Sequence, residues 1–221
     1  GSTGILSRSI LKALKANNIS FNLVNLSRSK NIKNKQDLYF YMDQCFSGKN
    51  LGIIINTVAS LNPKTKSDYY INQLLPVDLL SYSNKKSKFL IHLSTINVIK
   101  DELNDLYTVQ KRNSEILLSN SSFKNFFIYR LPLIIPKQEI VDGNIPKQFK
   151  LINFLISLPF LGLIPPSRNI YKPLDSDQIA QTLIKDIFSK KDKKMSQIKN
   201  LKGSTKMDLY KLSKLILKLQ S

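Results

Sequence analysis

Three apolar runs in this chain are long enough to form buried β-strands, and helix-like segments separate them. The runs "LGIIINTVAS" (51–60), "KFLIHLST" (88–95) and "FFIYRLPLII" (126–135) are nearly continuous, as expected of strands covered on both faces. Segments with apolar residues at helical spacing lie between them, at 67–83 and 107–120. This alternation predicts an α/β fold in which a doubly wound, mostly parallel sheet has helices on both faces.

Weaker patterns elsewhere in the chain predict further elements. A helix that stops at Asn17 and Asn18 is followed by a short predicted strand over 19–26, and a second helix is predicted over 37–46. Pro76 is expected to kink or break the helix over 67–83. A further amphipathic helix is predicted over 176–190.

The chain is strongly basic, with 34 Lys and Arg against 15 Asp and Glu and a net charge of +19. Only five of these residues are Arg and the lysines are scattered, so a solvated surface is favoured over a nucleic-acid-binding face. Cys45 and His92 are the only residues of their types, which excludes an intrachain disulfide and gives no Cys- or His-based metal site. The most apolar stretch, 151–166, is too short and too interrupted for a membrane span.

Three short motifs fall where predicted strands end or helices begin, the edge at which parallel α/β sheets bind ligands. "GSTG" (1–4) precedes a helix, where glycines let the backbone approach a phosphate. "LST" (93–95) ends a strand with hydroxyls that can bind a substrate oxygen. In "YTVQK" (107–111), Tyr107 and Lys111 share one helical face, so we expect the ammonium to lower the phenol pKa from about 10. Each motif alone is also typical of a structural turn, strand end or surface pair.

Together and in this order, the motifs resemble the extended short-chain dehydrogenase/reductase family, in its NAD(P)-dependent epimerase/dehydratase branch that acts on nucleotide sugars. "GSTGILS" is similar to the family's G-x-x-G-x-x-G turn, and "YTVQKRNSE" matches Y-x-x-x-K-x-x-x-E through Glu115. The resemblance implies a Rossmann-type NAD(P)-binding domain over 1–136 and a small substrate lobe over 137–221. Other similar segments are "INTVAS", "INQLLPVDLL", "FLIHLSTINV", "YRLPLIIP" and "KPLDSDQIA".

The resemblance also implies roles for individual residues. Thr95 would orient a substrate hydroxyl or keto group, Tyr107 would move the proton, and Lys111 would bind the nicotinamide ribose and tune Tyr107. The cofactor-binding residues implied by the matched motifs are Gly1, Thr3, Gly4, Ile5, Leu6, Arg28, Asp37, Leu38, Val58, Ala59, Asn72, Tyr107, Lys111 and Pro132.

The same resemblance implies where these residues lie along the cofactor, and it favours NADP over NAD. Asp37 and Leu38 would lie by the adenine, and Val58 and Ala59 would line the middle of the cofactor. The second predicted strand ends in "NLSRSK", where an acidic residue would hold the adenine ribose of NAD. Arg28 would better meet the 2′-phosphate of NADP, so NADP is favoured and NAD is the alternative.

The sequence also departs from the family pattern at several other points. Ser7 replaces the third glycine of the turn, and Ile-Asn follows Thr95 where the sugar dehydratases carry Asp-Glu, which argues against a dehydratase. Thr95 stands only twelve residues before Tyr107, so the substrate-facing loop is short. No strand precedes Gly1, and we expect the natural protein to carry roughly five to eight further apolar residues there, a typical strand length.

The predicted function is an NADP-dependent epimerase or keto-reductase of a nucleotide sugar that feeds surface polysaccharide synthesis in the cytoplasm. Through the resemblance, a homodimer is expected to form by helices 67–83 and 107–120. One alternative is an NAD(P)-binding sensor or scaffold with little turnover. A third and weaker hypothesis is a basic protein that binds nucleic acid or a membrane surface, whose binding would fall steeply with added salt.

Overall fold

A computed structural model describes most of the chain as helices, strands and the loops that join them. In chain order the elements are α1 (Ile5–Ala16), α2 (Lys35–Phe46), β1 (Ile53–Asn56), α3 (Lys66–Tyr69), a π-helical turn (Tyr70–Leu74), α4 (Leu75–Lys86), β2 (Phe89–Thr95), a 3-10 turn (Ile96–Ile99), α5 (Leu106–Ser119), β3 (Phe126–Leu131), β4 (Ile134–Ile135), β5 (Leu174–Asp175), α6 (Ser176–Ser189) and β6 (Gln197–Asn200). The residues described are 4–21, 32–46, 52–86, 89–100, 102–103, 105–123, 125–135, 174–189 and 197–200.

These elements pack as two compact units. The first unit contains the described residues of Phe21–Arg130 together with 197–199. The second unit contains Ile5–Ser20 and the described residues between 131 and 191. By packing alone, α1 therefore groups with later parts of the chain. The functional boundary expected after residue 136 stays a prediction.

A four-stranded sheet with the order β1-β2-β3-β6 runs through the first unit. β1 and β2 pair in parallel, in a register that sets Ile53 opposite Phe89 and Asn56 opposite His92. Successive residues of β2 are buried, so both faces of this strand are covered. The α/β fold with a parallel sheet is thus confirmed.

Two of the predicted strands are shorter than their apolar runs. β1 ends at Asn56 because the next loop takes different hydrogen bonds, beginning with the Val58 N–H to the Asn56 side chain at 3.1 Å. The run over 126–135 is divided at Pro132, which has no N–H to donate to a ladder. Beyond it, β4 pairs in parallel with β5 in the second unit.

The apolar core of the first unit joins α2, α4 and α5 to one face of the sheet. Burial of these side chains is the main term that stabilises the unit. Its buried members are Leu38, Met42, Phe46, Tyr70, Leu75, Leu79, Leu80, Tyr82, Leu90, Leu118, Phe126 and Ile128.

The helix predicted over 67–83 contains a π-helical turn just before its proline. The N–H of Leu75 donates to the carbonyl of Tyr70, five residues earlier. Pro76 has no N–H, and its ring would clash with the carbonyl four residues before it in a regular helix. Widening the preceding turn removes that clash, so the helical path continues to Lys86. The same turn directs Asn72 into the interior, where it is fully buried.

The second unit contains α1 packed against α6. The hydroxyl of Ser9 donates to that of Ser176 at 2.9 Å, and both side chains are buried. α1 ends as predicted, because Asn18 has a φ of 53°, the left-handed conformation that Asn tolerates after a helix.

Among the described residues, no helix has the length and apolar character needed to cross a membrane. Most of the strand predicted over 19–26 lies outside the described residues.

We expect Leu118→Ala to destabilise the protein by about 2–5 kcal/mol, because its side chain is 0% exposed in the core and Ala would leave a cavity. Leu61→Ala is the matched control, since that leucine is 78% exposed and its truncation should cost less than about 0.5 kcal/mol. Urea denaturation of the three proteins measures both effects. Equal losses of stability in the two variants would contradict the described core.

Candidate functional site

The end of β2 presents two hydroxyl side chains. Thr95 is partly buried, and its Oγ1 accepts a hydrogen bond from the Asn97 N–H at 3.3 Å, which caps the 3-10 turn. The same turn is held by Arg112, whose Nε donates to the carbonyl of Val98 at 2.8 Å. Ser94 is 4% exposed, and its Oγ is a buried polar atom with no hydrogen-bond partner among the described residues. A buried hydroxyl without a partner is costly unless a ligand or water meets it.

α5 starts at a side-chain cap that fixes its first turn. Asp105 precedes the helix, and its carboxylate accepts hydrogen bonds from the N–H and the hydroxyl of Thr108, both at 2.7 Å. With this start, Tyr107 and Lys111 lie one helical turn apart, as the sequence predicts. The Lys111 Nζ stands 5.9 Å from the centroid of the Tyr107 ring, over its face.

Lys111 is a buried lysine held against the end of β2. Its side chain is 1% exposed, and Nζ donates to the carbonyl of Leu93 at 3.1 Å, two residues before Thr95. Burial disfavours the ammonium and lowers the pKa of Lys111 to about 8, although the charge of Glu115 opposes this change. Lys111 is therefore an unusual cation that sits beside both Tyr107 and the strand end.

The expectation that Lys111 lowers the pKa of Tyr107 is wrong for this structure. Burial, followed by the charge of Asp105, raises the pKa of Tyr107 to about 12. The ammonium lies over the ring face and hydrogen-bonds the Leu93 carbonyl. Desolvation of the phenolate therefore outweighs the attraction of the cation, and the phenol is protonated at neutral pH.

Glu115 and Arg130 form an ion pair that joins α5 to β3. The Arg130 guanidinium donates to both carboxylate oxygens, with the Nε contacts at 2.9 and 3.1 Å. Glu115 is buried, so removal of Arg130 would leave an uncompensated charge in the interior. Both residues come from motifs that carry the family resemblance, and the structure brings them into direct contact.

The loop after β1 is held by Asn72 from the π-helical turn. Asn72 Oδ1 accepts the Ser60 N–H, and Nδ2 donates to the carbonyl of Ser60, both at 2.8 Å. Nδ2 also donates to Oε1 of Gln110 at 2.8 Å. Within this loop Val58 packs partly against the core, and Ala59 is exposed. The amide of Asn72, predicted to contact the cofactor, thus makes its hydrogen bonds to the protein.

His92 was not predicted as part of any site, yet it lies at the centre of this region. It is 0% exposed, with Nδ1 at 3.3 Å from Nδ2 of Asn56 and Nε2 at 3.1 Å from Oγ of Ser114. Burial, and then the charge of Lys111, lowers the pKa of His92 well below its usual value. The sequence feature that indicates such a role is the position of His92 in the middle of an apolar run, because a buried imidazole requires polar partners.

The two residues expected by the adenine lie at the start of α2, and their cofactor roles stay predictions. The side chain of Leu38 is fully buried in the core. Asp37 stands in the first turn of α2, where its carboxylate accepts the N–H of Lys33 at 3.1 Å and its own N–H donates to Asn34 at 3.0 Å. Helix capping and core packing account for both residues.

The other predicted cofactor residues are spread along the chain. Gly4 is exposed, Ile5 and Leu6 begin α1 in the second unit, and Pro132 is buried between β3 and β4. Their cofactor roles stay predictions. The predicted contacts that lie outside the described residues are Gly1, Thr3 and Arg28.

We expect Lys111→Met to remove a pH dependence of stability. Between about pH 8 and 10.5 the unfolded lysine binds a proton that the folded, buried lysine does not, so wild-type stability should rise with pH in this window. Relative to Lys111→Met, the rise should be on the order of 3 kcal/mol. Urea denaturation across this range tests the prediction, with Lys64→Met at an exposed lysine as the control. Stability curves of wild type and Lys111→Met that run parallel would contradict it.

No protein-family model matches the sequence, and no curated protein matches it. Solved structures do. The dTDP-4-dehydrorhamnose reductase from Clostridium acetobutylicum aligns with a TM-score of 0.63 at 19% identity, over 100% of this chain and 78% of that chain. The enzyme of the same name from Yersinia enterocolitica aligns with a TM-score of 0.67 at 16% identity, over 100% of this chain and 78% of that chain.

A UDP-N-acetylglucosamine 4-epimerase from Bacillus cereus aligns with a TM-score of 0.62 at 16% identity, over 98% of this chain and 82% of that chain. These likenesses extend over nearly the whole chain, which itself has a parallel sheet. The chain therefore has the Rossmann-type α/β fold of these reductases and epimerases, the fold that its sequence motifs predict.

Proposed function

We propose that this protein is an NAD(P)-dependent reductase or epimerase that acts on a nucleotide sugar. The observation that carries the proposal is the group formed by Tyr107, Lys111 and the end of β2. A buried ammonium lies over the phenol ring and is tied to a carbonyl two residues before the Thr95 hydroxyl. The names of the similar structures, which are dTDP- and UDP-sugar enzymes, support a nucleotide sugar as the substrate class.

Lys111 and Ser94 are the groups that we propose to bind the ribose of a dinucleotide. Lys111 has three N–H donors, and the Leu93 carbonyl takes one of them. Ser94, at the same strand end, has a buried hydroxyl that no other described residue hydrogen-bonds. An ammonium and a hydroxyl are suitable partners for the hydroxyl groups of a sugar ring. NADP(H), when bound, would supply or accept the hydride.

The protonation state of Tyr107 favours reduction as the first reaction to test. Its raised pKa keeps the proton on the phenol at neutral pH, the form that donates to a carbonyl oxygen as it becomes a hydroxyl. Lys111 would stabilise the phenolate that this step leaves behind. Thr95 would orient the same substrate oxygen by donating its hydroxyl hydrogen, while its oxygen accepts the Asn97 N–H. Epimerisation would use these groups with Tyr107 acting first as the base.

Assembly and pathway form the remaining part of the proposal. Large apolar side chains are exposed on the helices proposed to form a homodimer, which supports that assembly. They are Tyr69, Leu74, Leu106, Ile116 and Leu117. A role in surface polysaccharide synthesis and a cytoplasmic location rest on analogy with the fold and stay predictions.

We expect Tyr107→Phe to lower turnover by about 10²–10⁴-fold, because Phe has no proton to donate. NADPH affinity should stay within about twofold, since the hydroxyl is proposed to act on the substrate. Loss of NADPH absorbance with a panel of keto-sugar nucleotides measures turnover, and fluorescence titration measures affinity. Tyr39→Phe, at a partly buried tyrosine on α2 outside the proposed site and dimer surface, is the matched control. Wild-type turnover in Tyr107→Phe would overturn the proposal, whereas tight binding without turnover in the wild type would favour the sensor or scaffold hypothesis.

We further propose NADP as the preferred cofactor, based on Arg28 at the end of the second predicted strand. Arg28→Ala should weaken NADPH binding by about tenfold, because a charge-assisted contact to the 2′-phosphate is lost. NADH binding should change less, since NADH lacks that phosphate. Titration of both cofactors tests this, and Lys15→Ala controls for loss of one positive charge. Equal losses for NADPH and NADH would contradict the assignment.

A further inference from the structure

Two hydrogen-bonded relays connect the loop after β1 to the inward face of α5. In the first, the Val58 N–H donates to Oδ1 of Asn56 at 3.1 Å, which leaves the Asn56 amide nitrogen facing Nδ1 of His92 at 3.3 Å. Beyond the imidazole, Nε2 lies 3.1 Å from Oγ of Ser114, which donates to the carbonyl of Lys111 at 3.1 Å. The relay therefore runs from the loop to the helical turn that carries Lys111.

The chemistry of these groups fixes the direction of each hydrogen bond. An amide nitrogen can only donate, so Nδ1 of His92 must accept from Asn56. A neutral imidazole then carries its single proton on Nε2, which donates to Ser114. The depressed pKa of His92 agrees with this neutral form.

The second relay reaches the residue next to Lys111. Asn72 accepts the Ser60 N–H and donates to the Ser60 carbonyl, and its amide nitrogen also donates to Gln110. All three distances are 2.8 Å. The loop over 57–60 is thus tied to α5 near both of its ends, through Ser114 and through Gln110.

The relays are buried, so they favour one position of the loop strongly. The side chains of Asn56, Asn72, His92, Gln110 and Ser114 all belong to the buried polar set. A shift of the loop would separate buried donors from their acceptors, at a cost of roughly 1–3 kcal/mol for each group left unpaired.

We propose that His92 and Gln110 are positioning residues that hold the loop over 57–60 in a fixed place against α5. On the proposed function, this loop carries the cofactor contacts expected at Val58 and Ala59, while α5 carries Tyr107 and Lys111. His92 and Gln110 would then set the spacing between cofactor and proton donor without touching either the cofactor or the substrate.

The chain offers a matched control for this inference. Asn113 Nδ2 donates to Gln73 Oε1 at 3.2 Å, a hydrogen bond between the same π-helical turn and α5 that the second relay joins. Gln73→Met removes that bond without touching the loop. Gln110→Met removes an acceptor of similar size within the relay, and His92→Met breaks the first relay. His92→Gln keeps a donor and an acceptor on one side chain and should rescue it.

Amide hydrogen exchange of the full chain, followed by NMR, tests the positioning role without any ligand. His92→Met should speed exchange of the Val58 N–H by about tenfold, and Gln110→Met that of the Ser60 N–H, because the asparagine that accepts each N–H loses the partner that holds its side chain in place. Exchange of β2 amides, such as that of Ile91, should not change. Gln73→Met should leave both loop amides at wild-type rates, and His92→Gln should restore Val58. Unchanged loop amides in both relay variants, or a uniform rise across β2, would overturn the inference.

NADPH titration then links the relays to the proposed function. Affinity should fall by about fivefold or more in His92→Met and Gln110→Met and stay at the wild-type value in Gln73→Met. Equal losses in the relay and control variants would overturn the link to the cofactor. A wild-type chain that binds neither NADPH nor NADH would instead overturn the proposed function, while the exchange rates would still decide the positioning role. Should His92→Met fail to fold, Gln110→Met provides the same test at Ser60.

Discussion

The burial of one ammonium group, that of Lys111, organises the polar interior of the first unit. A buried cation is costly, and it persists only where hydrogen bonds and opposite charge compensate it. The Leu93 carbonyl supplies the hydrogen bond, and Glu115 supplies the charge. Glu115 is in turn held by Arg130 on β3. Lys111 and Glu115 thereby link α5 to two neighbouring strands, and a change in the spacing of these elements would leave a buried charge without its partner.

The inward face of α5 explains why this interior is polar. Gln110, Lys111, Ser114 and Glu115 recur at the helical spacing that in most helices would carry leucines, and all four are buried. One turn further along α5, Leu118 packs in the apolar core. The helix therefore packs through hydrogen bonds up to Glu115 and through apolar contacts after it. Hydrogen bonds specify direction and distance, whereas apolar contacts do not. A site that must hold reacting groups in register benefits from this division.

Local periodicity in the sequence predicts most of the described helices and strands, although it sets some strand ends too far along the chain. The helix with Tyr107 and Lys111 and the strand ending at Thr95 lie within one residue of their predicted bounds. The contacts that define the site depend instead on pairs far apart in the chain, such as Asn72 with Gln110, which no local pattern contains. Leu38 illustrates the same limit of local patterns, because its burial in the core depends on the helix and strand that pack over α2.

The pKa of Tyr107 shows why spacing alone did not predict the electrostatics. A separation of four residues brought the ammonium near the phenol, but the sign of the pKa shift depends on the balance between desolvation and charge at the phenol oxygen. Here the cation lies over the ring face and is itself weakened by burial, so desolvation prevails. Burial thus lowers the pKa of Lys111 and raises that of Tyr107, and both shifts disfavour the ionised form. A ligand that hydrogen-bonds the ammonium or the phenol oxygen would favour the charged forms again, so the reactivity of the pair is coupled to occupancy of the site.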